Sequence, residues 1–143
     1  MIIAFNFDKI NIERKSLLKG KVEIKNNLAI DTIEEEQLMV KTENKAIKFD
    51  FTYSVVYEPK VGNIDLKGHL IYMADSKKIN ELLASWKKSK KLGDEKIATQ
   101  VLTTVLTKCN IKALALSQEI GLPQPVPLPI RINSNASPKN YIG

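Results

Sequence analysis

Few residues in this chain of 143 can do covalent or metal chemistry, and their placement narrows the choice further. His69 is the single histidine and Cys109 the single cysteine. His69 falls on the polar phase of an alternating segment, which suits an ordinary surface or interface histidine better than a general base. Cys109 falls on an apolar helical stripe, where a free thiol behaves as a small hydrophobe. One cysteine and one histidine cannot assemble a structural zinc site within one chain. Glu34, Glu35 and Glu36 lack the alternating oxygen ligands and turn glycine of a calcium loop, and read as a solvated acidic loop. Neither Walker-type nor dinucleotide-type glycine spacing occurs, so a phosphate cradle has no support. No set of nucleophile, base and orienter can be drawn from these residues. The expectation is a non-enzymatic protein with no metal and no cofactor.

Two recognition chemistries remain. The first is basic: the formal net charge is +6, and Lys77, Lys78, Lys87, Lys88, Lys90, Lys91 and Lys96 cluster around one helical segment with Trp86 nearby. Of the 22 basic residues only Arg14 and Arg131 are arginine, the residue preferred for bidentate phosphate and base contacts. Trp86 lies on the apolar stripe, where it packs as core instead of stacking on bases. Binding of RNA or ribosomes through Lys87, Lys88, Lys90 and Lys91 is therefore the alternative reading, and a solvated face the plainer one. The second chemistry is apolar. A long helical stripe ends at Gly121 and runs into Leu122-Pro123-Gln124-Pro125-Val126-Pro127-Leu128-Pro129, with proline at every second position. Proline fixes φ and has no N–H, so this segment is a stiff extended arm that cannot enter the middle of a sheet. Its apolar residues Leu122, Val126, Leu128, Ile130 and Ile132 want a surface, on the body of the protein or on a partner subunit.

The elements that position these residues follow from periodicity. Ile3, Phe5 and Phe7 alternate with polar positions, and the phase then flips to Ile10 and Ile12, which predicts a first strand bent near Asp8-Lys9. Val22 and Ile24 suggest a short second strand with Asn26-Asn27 as a turn or irregularity. Residues 28–40, with Asp31 and the three glutamates, are either a loop or the polar part of a continued strand. Ile47, Phe49, Phe51, Tyr53, Val55 and Tyr57 share one face of a third strand; Ile64, Leu66, Leu70 and Tyr72 continue in a fourth, with Gly68 in phase where a side chain is missing. The turn residues at 58–63 make these two a hairpin.

A first helix begins at Asp75 or Ser76, carries Ile79, Leu82, Leu83 and Trp86, passes through the basic run and is closed by Gly93. A second opens at Asp94-Glu95 and runs to Ile120, with a stripe of Ile97, Ala98, Val101, Leu102, Val105, Leu106, Cys109, Ala113 and Leu116. Ile111 and Leu114 lie off that stripe, more apolar positions than one sheet face can cover, which points to an oligomer contact or a ligand groove. The composite is an α+β fold in which a four-stranded antiparallel sheet precedes two helices and a C-terminal proline-rich extended arm. Residues 1–132 form one domain that includes the arm at 121–132, and 133–143 are a polar tail. No apolar run approaches a membrane span, the start lacks a signal-peptide pattern, and a lone cysteine agrees with a reducing compartment, so a cytoplasmic protein is expected.

This order of elements resembles the SecB family of export chaperones. The similarity lies in a long bent first strand over 3–12, four strands in the N-terminal part, a shorter helix over 76–91, a long helix over 94–120, and the extended Gly121-Leu122-Pro123-Gln124 after it. The chain departs from the family in being basic, in its alternating prolines and in its tail. The resemblance implies a homo-oligomer, a dimer or a tetramer built as a dimer of dimers, that holds unfolded polypeptide clients in apolar grooves without ATP. Ile111, Leu114, Leu122, Val126 and Leu128 are the candidate contacts for client or partner subunit.

Overall fold

The computed structural model describes residues 1–17, 20–39 and 43–125; Val126, Leu128 and the rest of the arm and tail lie outside the described residues. Four strands, β1 (Ile2–Arg14), β2 (Glu23–Glu36), β3 (Asn44–Glu58) and β4 (Gly62–Asp75), precede two helices, α1 (Ser76–Ser89) and α2 (Glu95–Glu119). The sheet order is β1-β4-β3-β2, antiparallel throughout, so the two strands that come first in sequence form opposite edges. The chain crosses from one edge to the other around the β3–β4 turn, where the Lys15 and Ser16 amides both donate to the Val61 carbonyl.

Alternation decides the two faces. On β3, Ile47, Phe49, Phe51, Tyr53, Val55 and Tyr57 are all buried, and their partners across β4 are Tyr72, Leu70, Gly68, Leu66, Ile64 and Gly62. The β1 register slips between Phe7 and Lys9, so Phe5 and Phe7 before the bulge and Ile10 and Ile12 after it meet inner-face residues of β4. The phase flip in the sequence is this bulge. Strand β2 differs from its expected form. Asn26-Asn27 is no turn: it lies within a strand of 14 residues, and of the two readings of the acidic stretch the continued strand holds, with residues 34–36 on an edge strand. Its own bulge, between Ile30 and Thr32, lets Ile24, Asn26, Leu28, Ile30 and Ile33 all share the inner face.

Both helices cover that inner face. Asp75 caps α1 by accepting from the Lys78 amide, while the Ser76 hydroxyl donates to the Glu43 carbonyl. Gly93 does not close α1; the helix stops at Ser89, and Lys90 turns left-handed (φ 57°) with its amide donating to the Trp86 carbonyl. Helix α1 packs on β2, β3 and β4, and α2 on β4 and β1. Every fourth residue of α2, namely Ile97, Val101, Val105, Cys109, Ala113 and Ser117, is buried, a line that slants across the helix as it crosses the sheet. Gly121 (φ 71°) ends α2 in a Schellman turn, with the Leu122 amide donating to the Ser117 carbonyl.

Asp94 joins the two helices. Its carboxylate accepts from the Ile97 amide at the α2 N-terminus and pairs with Lys78 of α1 at 2.5 Å. The Lys78 hydrogen bond, then the Ile97 amide, hold its pKa below the ordinary 3.8. A depressed carboxylate pKa contributes stability that is complete above the unfolded value and is lost as pH falls through the folded one. Melting curves recorded from neutral pH down to about pH 3 should therefore fall less steeply for Asp94→Asn than for the parent. Asn retains a cap acceptor, so Asp94→Ala is expected to be the less stable variant at neutral pH. Equal slopes for parent and Asn variant would show that this carboxylate carries none of the acid sensitivity.

Candidate functional site

The residues singled out for covalent chemistry are held in structural roles. Nδ1 of His69 lies 2.8 Å from the Asp8 carboxylate on the open face of the sheet, with Asn6 and Asp50 opposite it on the flanking strands. The hydroxyls beside it are spent: Thr32 donates to Asp50, and Thr52 to Asp31. Cys109 is fully buried, and burial pushes its thiol up to about 12, far from thiolate at neutral pH. Iodoacetamide at about pH 8 should leave Cys109 unlabelled in the native protein and label it once denatured. Rapid native labelling would show that α2 opens from the sheet.

Of the candidate recognition residues, Lys87, Lys88, Lys90 and Lys91 lie exposed at the α1 C-terminus, and Lys90 sits over the Trp86 ring at 5.6 Å. Ile111 is 65% exposed, Leu114 half-buried, and Leu122 buried. Leu122 belongs to the protein's own core: a Cβ on Gly62 would lie 3.2 Å from its Cδ2. The structure thus separates residues that the sequence had grouped, Leu122 packing inward and Ile111 facing out.

A site emerges where helix coverage is incomplete. Helix α1 spans one end of the inner face and α2 the β1–β4 side, where Lys108 and Lys112 cover the Phe5 and Phe7 rings at 5.3 and 5.8 Å. At the other end, toward β2, the side chains of Ile24, Leu28 and Ile30 stay half-buried. The opposing flank of α2 is identified by Asn110, which accepts from the Tyr53 hydroxyl at 3.0 Å. Leu106 and Leu114, one turn before and after Asn110, share that flank and are half-buried. An apolar strip therefore runs between β2 and α2.

Residues 122–125 close one end of the strip. The Tyr57 hydroxyl donates to the Pro123 carbonyl at 2.8 Å and the Asn26 side-chain amide to the Pro125 carbonyl at 2.9 Å. Burial pushes the Tyr57 phenol up to about 12 and raises that of Tyr53 too, so both remain neutral donors. In the sequence Asn26 reads as turn chemistry and Tyr57 as core, and neither they nor Asn110 reads as a site residue. One signal was there: Asn26 is polar yet in phase with Ile24, Leu28 and Ile30.

No family model matches the chain, and no curated protein matches it in sequence. Among solved structures, the Mycobacterium tuberculosis SecB-like chaperone Rv1957, in complex with a ChAD peptide from the HigA1 antitoxin, is similar with a TM-score of 0.56 and 10% sequence identity, over 96% of this chain and 92% of that one. The fold is SecB-like. Strand order, the crossing connection and the pair of helices on one sheet face therefore form a known framework, in which the strip between β2 and α2 is set by this chain's own side chains. Among the described residues no helix is long and apolar enough to cross a membrane, and no group of three potential ligands could hold a metal ion.

Proposed function

We propose that this chain is a SecB-like molecular chaperone, without enzymatic activity, that binds non-native polypeptide along the strip between β2 and α2. One observation carries the reading: the chain's own residues 122–125 already lie at the end of that strip, the Pro123 carbonyl received by Tyr57 and the Pro125 carbonyl by Asn26. A surface that seats one segment by its main-chain carbonyls is suited to seating another. The peptide bound to the structural neighbour supports polypeptide as the ligand class. Ile111 and Leu114 are the client contacts on α2, and Val126 and Leu128 belong to the same proposal. The working form is a cytoplasmic homodimer or homotetramer, for which the long edge strands β1 and β2 and the exposed Ile3, Ile10 and Leu102 offer contact surface.

Light scattering from an aggregating client refolding out of denaturant tests the reading. Stoichiometric amounts of the chain should suppress the signal, and undiminished scattering sinks the chaperone proposal. A ribosome or RNA partner for Lys87, Lys88, Lys90 and Lys91 would instead appear as cosedimentation that weakens steeply with salt.

A further inference from the structure

We infer that Asn26 and Tyr57 form a reading site for the main chain of extended polypeptide, and that the chain's own residues 122–125 are a weak occupant of it that a client displaces. This rests on the polypeptide-binding reading above. Two donors from neighbouring strands meet two carbonyls of one segment, Tyr57 at Pro123 and Asn26 at Pro125. Ile24 stands directly opposite Tyr57, so the donors lie on a diagonal of the inner face. An extended client turns the carbonyls of residues two apart to one side, the spacing that these two donors receive. Both hydrogen bonds go to main-chain oxygens, so this pairing is indifferent to sequence, as a site for varied clients requires.

The Asn26 amide is only half used. Its Oδ1 is out of contact with solvent and has no hydrogen-bond partner among the described residues. Only the NH2 end can face the Pro125 carbonyl, which fixes Oδ1 as an acceptor in want of a donor. In extended backbone the C=O and N–H of one residue point the same way, which is why opposed residues of an antiparallel pair exchange two bonds. Residue 125 is proline and has no N–H to give. A client residue other than proline in that place supplies both groups and forms one hydrogen bond more than the resident segment does. A buried acceptor left unpaired is unfavourable, so the resident segment yields to such a client. The site therefore selects extended polypeptide and disfavours proline at the residue whose carbonyl Asn26 receives.

Fluorescence anisotropy of labelled, reduced and carboxymethylated α-lactalbumin, a permanently unfolded chain, titrated with the full-length protein, tests this. In Pro125→Ala the resident segment gains the missing N–H, and client affinity should fall by about five-fold. The amide that this substitution creates at position 125 should exchange slowly with deuterium in the absence of client. In an Asn26→Ala background the same change at 125 should leave affinity unaltered. Undiminished affinity in Pro125→Ala, an equal loss in the Asn26→Ala background, or fast exchange of the new amide overturns the inference while leaving the chaperone reading standing. No binding of this client by the unaltered chain overturns both.

Discussion

Gly68→Val is expected to unfold the protein. A Cβ at residue 68 would stand 2.6 Å from Phe51 Cζ and collide with the Asn6 carbonyl oxygen. Neither neighbour can give way. Asn6 belongs to the β1–β4 ladder, and the Phe51 ring is stacked on Phe5 at 5.3 Å and met edge-on by Phe7 at 6.2 Å. The absent side chain is what lets Phe51 lie across the centre of the sheet. Overpacking at such a point destabilises by about 3 kcal/mol or more, and the two further methyl groups of valine add to the clash that alanine already makes. Chemical denaturation followed by circular dichroism gives the measurement. A Gly68→Ala variant within about 1 kcal/mol of the parent would show that the three phenylalanines can repack around a Cβ.

The second large effect concerns binding. Ile111→Asp combined with Leu114→Asp should weaken affinity for an unfolded client by about ten-fold or more, because a few well-placed apolar contacts dominate such interfaces and a carboxylate in their place must be desolvated. Ile111 is exposed and Leu114 half-buried, so the fold should tolerate both charges. Anisotropy with the labelled client, beside an unchanged far-ultraviolet spectrum, separates loss of binding from loss of fold. Unaltered affinity would exclude Ile111 and Leu114 from the client surface.

Legibility in the sequence followed the range of the interactions. The third and fourth strands and both helices were readable because alternation and helical stripes are set by residues a few positions apart, and burial on a single face enforces them. The bulge near Asp8 was readable for the same reason, as a change of phase within ten residues. The second strand was misread where Asn26-Asn27 mimics turn chemistry. Pairing of those residues with Val55 and Ser54 overrides the local preference, since a strand partner supplies the hydrogen bonds that a turn would. Closure by Gly93 failed likewise: Lys90 takes the left-handed position itself, with its ammonium over Trp86.

By itself the sequence determined the α+β class, the order of four strands and two helices, which side chains of the hairpin face inward, and the stop of the long helix at Gly121. These depend on local periodicity and on the backbone needs of single residues. Only the tertiary structure decided that the first two strands form opposite edges, that Leu122 serves the core while Ile111 faces out, and that Asn26 and Tyr57 receive the carbonyls of the chain's own proline segment. The last pairings join residues 99 and 66 positions apart. Contacts at that separation leave no periodic trace, because no spacing along the chain records which strand edge a distant segment will meet.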